Sequence, residues 1–107
     1  MPKGYFIVRV DVSDPDAYRR YIEANAEPIG RYGGRFIVRG GRYEAVEGSA
    51  RARNVVIEFD SFETARSCYF DAGYKKAKAL REGAAESDFL IIEGYDGPQP
   101  GEGLPPR

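Results

Sequence analysis

Residues 32–41 read Tyr-Gly-Gly-Arg-Phe-Ile-Val-Arg-Gly-Gly, and the reading of the two glycine pairs decides the fold. Before them, Tyr18, Tyr21/Ile22, Ala26, Ile29 and Tyr32 step by three and four, the period of one helical face. Gly33-Gly34 supplies the backbone conformation favoured just past a helix C-terminus, so a helix ends there and Arg35–Val38 begins a strand. Gly40-Gly41 admits three readings. An Arg-Gly-Gly tract for RNA repeats its motif in disordered sequence, and this copy is single. A phosphate cradle places its glycines between a strand and a helix N-terminus, whereas strand-like sequence follows these. The remaining reading is a bend or bulge where the strand enters a hairpin connection, with Arg39 as the last strand residue.

Working outward, residues 4–12 are β-branched and aromatic and read as a first strand. Asp14 is placed to cap the first helix and Pro15 suits its first position, while Pro28 is expected to kink or divide it. Residues 53–59 are a third strand. Asp60 or Ser61 caps a second helix, with Glu63 in capping-box spacing from Asp60. That helix shows an apolar face of Phe62, Ala65 and Tyr69, breaks near Gly73 and resumes through Ala77 and Leu80. Residues 89–93 form a fourth strand. A single domain over 1–95 is then followed by a Pro/Gly-rich arm or tail over 96–107. The order β-α-β-β-α-β is the ferredoxin-like α+β pattern: a four-stranded antiparallel sheet, order 4-1-3-2, with both helices on one face.

At 107 residues, 42% hydrophobic and 31% charged, the composition suits one globular domain. The net charge of −1 leaves no surplus of cations for a nucleic-acid backbone or an anionic membrane surface. Cys68 is the sole cysteine and is expected as a buried structural thiol, and there is no histidine. Neither a histidine base nor a zinc site is therefore expected, and no cofactor is indicated. No apolar run resembles a secretion signal or is long enough to cross a bilayer, so a cytoplasmic location is the expectation.

Alternation assigns each strand residue to a face. Phe6, Val8, Val10, Phe36, Val38, Val55, Ile57 and Phe59 should pack on the helices, joined by Leu90 and Ile92. The other face should carry Tyr5, Ile7, Arg9, Asp11, Arg35, Ile37, Arg39, Asn54, Val56, Glu58, Phe89, Ile91, Glu93 and Tyr95. That face is too apolar for water and too charged for an ordinary core. A homodimer that packs two such sheets around a partly polar cavity satisfies both observations.

The chain also resembles a known family. Tyr32 to Gly41, Asn54-Val55-Val56-Ile57-Glu58-Phe59, Tyr69 with Tyr74, and Ile92-Glu93-Gly94-Tyr95 are similar to domain of unknown function 1330 over residues 3 to about 97. That family is similar to the dimeric α/β barrel superfamily. The resemblance implies the ferredoxin-like fold and the homodimer, in a superfamily that includes cofactor-free monooxygenases, muconolactone-type isomerases, haem enzymes, which use a histidine this chain lacks, and proteins with no known activity. The dimer cavity is expected to hold a small anionic or aromatic molecule, as a cofactor-independent isomerase or oxygenase would, with a non-catalytic binding or structural dimer as the alternative. The resemblance implies no particular reaction.

On the face assignment, Arg9, Arg39 and Asn54 gather at one end of the open sheet face. Two guanidinium groups and an amide there would bind a carboxylate, phosphate or enolate oxygen. The competing reading is structural pairing, Arg9 with Asp11 and Arg39 across the dimer. Glu58 is the candidate acid or base, although a cross-strand salt bridge with Arg35 is the simpler reading.

Overall fold

The structure, a computed structural model, describes residues 1–103; positions 104–107 of the expected C-terminal arm lie outside the described residues. The elements run β1 (Gly4–Val12), α1 (Pro15–Arg31), β2 (Arg35–Arg39), β3 (Arg53–Phe59), α2 (Phe62–Tyr69), α3 (Ala72–Ala79) and β4 (Ala85–Glu93). The strands form one antiparallel sheet in the order β2-β3-β1-β4, the ferredoxin-like arrangement that the sequence pattern implies.

Local chemistry explains the boundaries. The Asp14 carboxylate accepts the Ala17 N–H at 3.2 Å, and Pro15 occupies the first helical position. Helix α1 closes on two bonds, Gly34 N–H to the Ile29 carbonyl and Gly33 N–H to Gly30, with Gly33 at φ 74°. Pro28 does not divide α1. It lies in the last turn, where its missing N–H costs a single hydrogen bond, and its buried ring packs into the core. Ser61, not Asp60, caps α2 by accepting the Thr64 N–H at 3.1 Å. The expected break in the second helix falls at Phe70–Asp71, and Asp71 caps α3 through the Gly73 N–H at 2.7 Å.

The core lies between the sheet and the helices. Phe6 stands at its centre, 4.6 Å from the Phe59 ring and 4.9 Å from Phe89, with Tyr69 and Tyr74 closing the cluster from α2 and α3. Cys68 is fully buried there, its thiol donating to the Pro28 carbonyl at 3.8 Å, and burial pushes its pKa up to about 12.

Three face assignments need correction. On β4, Phe89 pairs with Val8 and Ile91 with Phe6, so these two face the helices while Leu90 and Ile92 lie on the open face. Glu93 stands opposite Gly4, in phase with the helix side and not with the open face. On β2, Phe36 pairs with Ile57, but the next pairs are Val38 with Val56 and Arg39 with Val55. Ile37 is the extra residue of a β-bulge, which reverses the alternation after it. Arg39 is thereby moved to the helix-covered side and Val38 to the open one. On α1, Asn25 is buried at 5% exposure, whereas Ala26, assigned to the apolar face by periodicity, is exposed.

Candidate functional site

The bulge rearranges the expected site. Arg9 and Asn54 are cross-strand neighbours on the open face, but Arg39 is not with them. Asn54 donates to the Arg51 carbonyl at 3.2 Å. Arg9 reaches Asp88 at 3.5 Å, not Asp11. Asp11 and Asp88 are held instead by Arg51, at 2.8 and 2.9 Å, and Asp11 also accepts the Ala52 N–H at 2.9 Å. This cluster pins the end of the long β2–β3 connection to the sheet, and Arg51 holds the Asp11 and Asp88 carboxyls below the usual range, with the Ala52 N–H the largest influence on Asp11. Its charges are compensated within the protomer. At the opposite end of the same face, Glu58 accepts from Arg35 at 3.2 Å and from the Tyr5 hydroxyl at 3.3 Å. The catalytic candidate is engaged in the cross-strand salt bridge.

On the helix side a different constellation forms. A cavity between α1, α3 and the sheet is lined by Tyr18, Tyr21 and Asn25 from α1, Tyr74 from α3, and Arg39 and Arg53 from β2 and β3, over apolar walls that include Phe36 and Phe89. Its water-accessible space is about 20 Å³, room for one small polar group or water.

Helical spacing explains α1's share: Tyr18, Tyr21 and Asn25 are separated by three and four residues and stand on one face. Strand parity explains Arg53, which is in phase with the core residues Val55 and Ile57. Gly40 explains how Arg53 fits. It sits at φ 64°, and a Cβ there would lie 2.7 Å from the Arg53 Nη1 atom. The second glycine pair of the opening stretch thus makes room for an arginine of the neighbouring strand.

Each cavity arginine stacks on an aromatic ring, Arg39 over Phe36 at 3.9 Å and Arg53 over Tyr18 at 5.9 Å. Among the described residues neither has a carboxylate within salt-bridge distance. Among the described residues two buried side-chain atoms have no hydrogen-bond partner, the Asn25 Oδ1 and the Arg53 Nε, and both residues line this cavity. An unpaired buried polar group costs roughly 1–3 kcal/mol.

The tyrosines are donors here, not bases. The Tyr21 and Tyr74 hydroxyls are hydrogen-bonded at 2.5 Å, and Tyr74 is fully buried. Burial first, and then the neighbouring Tyr21, raises the pKa of both Tyr18 and Tyr74 above the ordinary tyrosine value. The lining therefore offers guanidinium and hydroxyl donors and an amide, with no carboxylate, thiol or imidazole to take a proton. It can hold and stabilise an anion.

Sequence reasoning missed Asn25 and Arg53, although each left a signal. Both are polar residues in phase with an apolar face. Among the described residues no group of three or more acidic, cysteine or histidine side chains is arranged to hold a metal ion. No helix of the described residues is long and apolar enough to cross a membrane.

Sheet order and one-sided helices define a ferredoxin-like α+β protein. The chain belongs to the family described as domain of unknown function (DUF1330), which matches residues 3–95. Comparison with curated proteins gives no match. Among solved structures it is similar to a protein of unknown function from Rhodopseudomonas palustris, at TM-score 0.72 and 16% identity, covering 90% of this chain and 85% of that one. It is also similar to SnoaB, a cofactor-independent oxygenase from Streptomyces nogalater, at TM-score 0.61 and 14% identity, covering 91% and 97%. A dimeric ferredoxin-like protein of unknown function from Thermobifida fusca matches at TM-score 0.52 and 12% identity, covering 86% and 91%. At these identities the likeness establishes the fold.

Proposed function

We propose that the protein binds a small organic anion at the mouth of the cavity between α1 and the sheet, one polar group entering the interior and the rest lying beside the exposed Arg39, with Arg39 and Arg53 as its charge partners. The observation that carries this reading is the buried Arg53 Nε, which has no hydrogen-bond partner among the described residues, beside Arg39, which like Arg53 has no carboxylate within salt-bridge distance; the unpartnered Asn25 Oδ1 lines the same cavity as an acceptor. A fold that leaves two such groups unpaired gives up stability that a ligand restores. Aromatic walls and guanidinium donors suit a planar acid or enolate. This places the site within each protomer, not between two sheets.

The function is binding, with stabilisation of the bound anion. An isomerase or oxygenase reaction of the kind implied by the family resemblance needs a group that accepts a proton, and the lining supplies none near neutral pH. What the two arginines would do is lower the pKa of a bound acid and hold it as the anion. Calorimetric titration with small aromatic and aliphatic carboxylates tests the reading. Binding by the wild type that falls in Arg53→Gln supports it, and equal affinity in both proteins overturns it.

The open sheet face supports a second element, the homodimer. Ile7, Val38, Val56, Leu90 and Ile92 form an apolar centre between the two charged clusters, and Leu90 and Ile92 are each about half exposed. A face of this kind packs against an identical copy, apolar centre on apolar centre. Sedimentation should give a dimer for the wild type and a folded monomer for Leu90→Glu; a monomeric wild type refutes it.

A further inference from the structure

We propose that the α1–sheet cavity, with room for one small polar group, takes the O–H or N–H donor of an acid whose charged group lies at its mouth beside the exposed Arg39, and that Asn25 is the residue that selects for that donor. The inference rests on the anion-binding reading and narrows it to a chemical class, hydroxy- or amino-substituted acids in preference to plain ones.

The reasoning starts from the donor and acceptor inventory of the lining. Arginine has no acceptor, so Arg39 and Arg53 can only donate. The tyrosine hydroxyls donate or accept, and those of Tyr21 and Tyr74 already engage one another. The Asn25 carbonyl is the one lining side-chain oxygen that can only accept, and it has no protein partner while 95% of its residue surface is covered, the residue being 5% exposed. A plain carboxylate satisfies the guanidinium groups and leaves this acceptor unpaired. An acid with a hydroxyl or amino group satisfies both. In the structure the amide oxygen is the buried, unpartnered atom; the flipped amide would put an N–H donor there, and a plain acid would then bind as well as a hydroxy acid.

Position supports the assignment. Asn25 lies one helical turn beyond Tyr21 on the α1 face that lines the cavity, while Arg53 enters from β3 beside Tyr18, 5.9 Å from its ring. The acceptor and the cation therefore belong to different walls, and a ligand between the helix and the sheet meets both. Sites with a buried group that must be hydrogen-bonded discriminate strongly against analogues lacking the matching group.

The test compares matched acids by calorimetry: lactate against propionate, and 3- and 4-hydroxybenzoate against benzoate, on the wild type, Asn25→Leu and Arg53→Gln. At least one hydroxy acid should bind the wild type about tenfold or more tighter than its plain counterpart. In Asn25→Leu that preference should vanish, the hydroxy acid losing far more affinity than its plain counterpart, and Arg53→Gln should weaken both members of a pair together. Equal binding of hydroxy and plain acids to the wild type overturns the proposal and leaves Asn25 as a residue satisfied by water alone. A preference that survives Asn25→Leu also overturns it, by showing that another group reads the hydroxyl. Both outcomes leave anion binding intact. If no acid of either kind binds, the anion-binding reading and this one fall together. The wild-type comparison stands whether or not the variants fold.

Discussion

Two arginine clusters lie at the same end of the sheet, on opposite faces of β1 and β3. On the open face, Arg51 and Arg9 meet Asp11 and Asp88, and Glu86 lies 3.9 Å from Arg51. On the helix side, Arg39 and Arg53 meet rings, an amide and hydroxyls, with no acid within salt-bridge distance among the described residues. The chain has as many acidic groups as it needs, 17 against 16 basic ones, so the helix-side cluster is not short of carboxylates by composition. Their exclusion from that cavity is a property of the fold. Compensated charge fastens a loop, and uncompensated charge facing an enclosed space marks a place for an anion.

The most forceful way to break this contrast is to neutralise one arginine on each side. Arg53→Gln should reduce affinity for a bound acid about 10- to 100-fold, the value of a hydrogen bond to a charged group, while Arg51→Gln should leave it unchanged. Comparable losses in the two variants would show that the clusters are not functionally distinct. Next in size is Gly40→Ala. Its Cβ would crowd the Arg53 guanidinium at a left-handed backbone position, and a loss of about 1–2 kcal/mol in denaturant unfolding is expected. The same variant should also weaken acid binding; unaltered binding would detach Gly40 from the site.

A smaller effect of opposite sign is expected at Asn25. Replacing its unpaired amide by leucine should stabilise the unliganded protein by about 1 kcal/mol, a rise in Tm of about 4–8 °C for a domain of this size. A lower Tm would mean that the amide already has a partner. The slightest effect belongs to the compensated cluster. Asp11 and Asp88 have folded-state pKa values depressed below their unfolded values, so their stabilisation is present above the ordinary carboxylate range and is lost as pH falls through and below it. Arg51→Gln should therefore narrow the Tm difference between pH 7 and pH 3, whereas Arg53→Gln should not. Screening by solvent keeps this shift small.

Much of the architecture was legible in the chain because its signals were local and redundant. Asp14-Pro15 starts a helix, Gly33-Gly34 ends one, and the strand order follows from chain order. The failures on the strands share one cause. Alternation reveals a strand's phase only where polar and apolar residues alternate, and Phe89-Leu90-Ile91-Ile92 and Phe36-Ile37-Val38 are unbroken apolar runs. Within such a run an inserted residue leaves no trace, so neither the bulge at Ile37 nor the phase of β4 was visible. Because Arg39 follows the bulge it lies on the face opposite to the expected one, and the expected Arg9–Arg39–Asn54 cluster is split, with Arg9 and Asn54 remaining on the open face. Asn25 and Arg53 were concealed differently, as polar exceptions within apolar patterns whose partners come from distant segments.

Cys68 has a use that follows from its isolation. The chain has a single thiol and no tryptophan, so conventional intrinsic fluorescence of indole is not available to follow its conformational openings. The thiol is held beneath α1, hydrogen-bonded to the Pro28 carbonyl, and its pKa of about 12 leaves almost no thiolate at neutral pH. An alkylating reagent can therefore react only when the helical layer parts from the sheet, and the rate of labelling becomes a clock for that event. Because the anion cavity lies under the same helix, ligands that bridge α1 and β3 should slow this clock, and the retardation would give an affinity scale that requires no chromophore in the ligand.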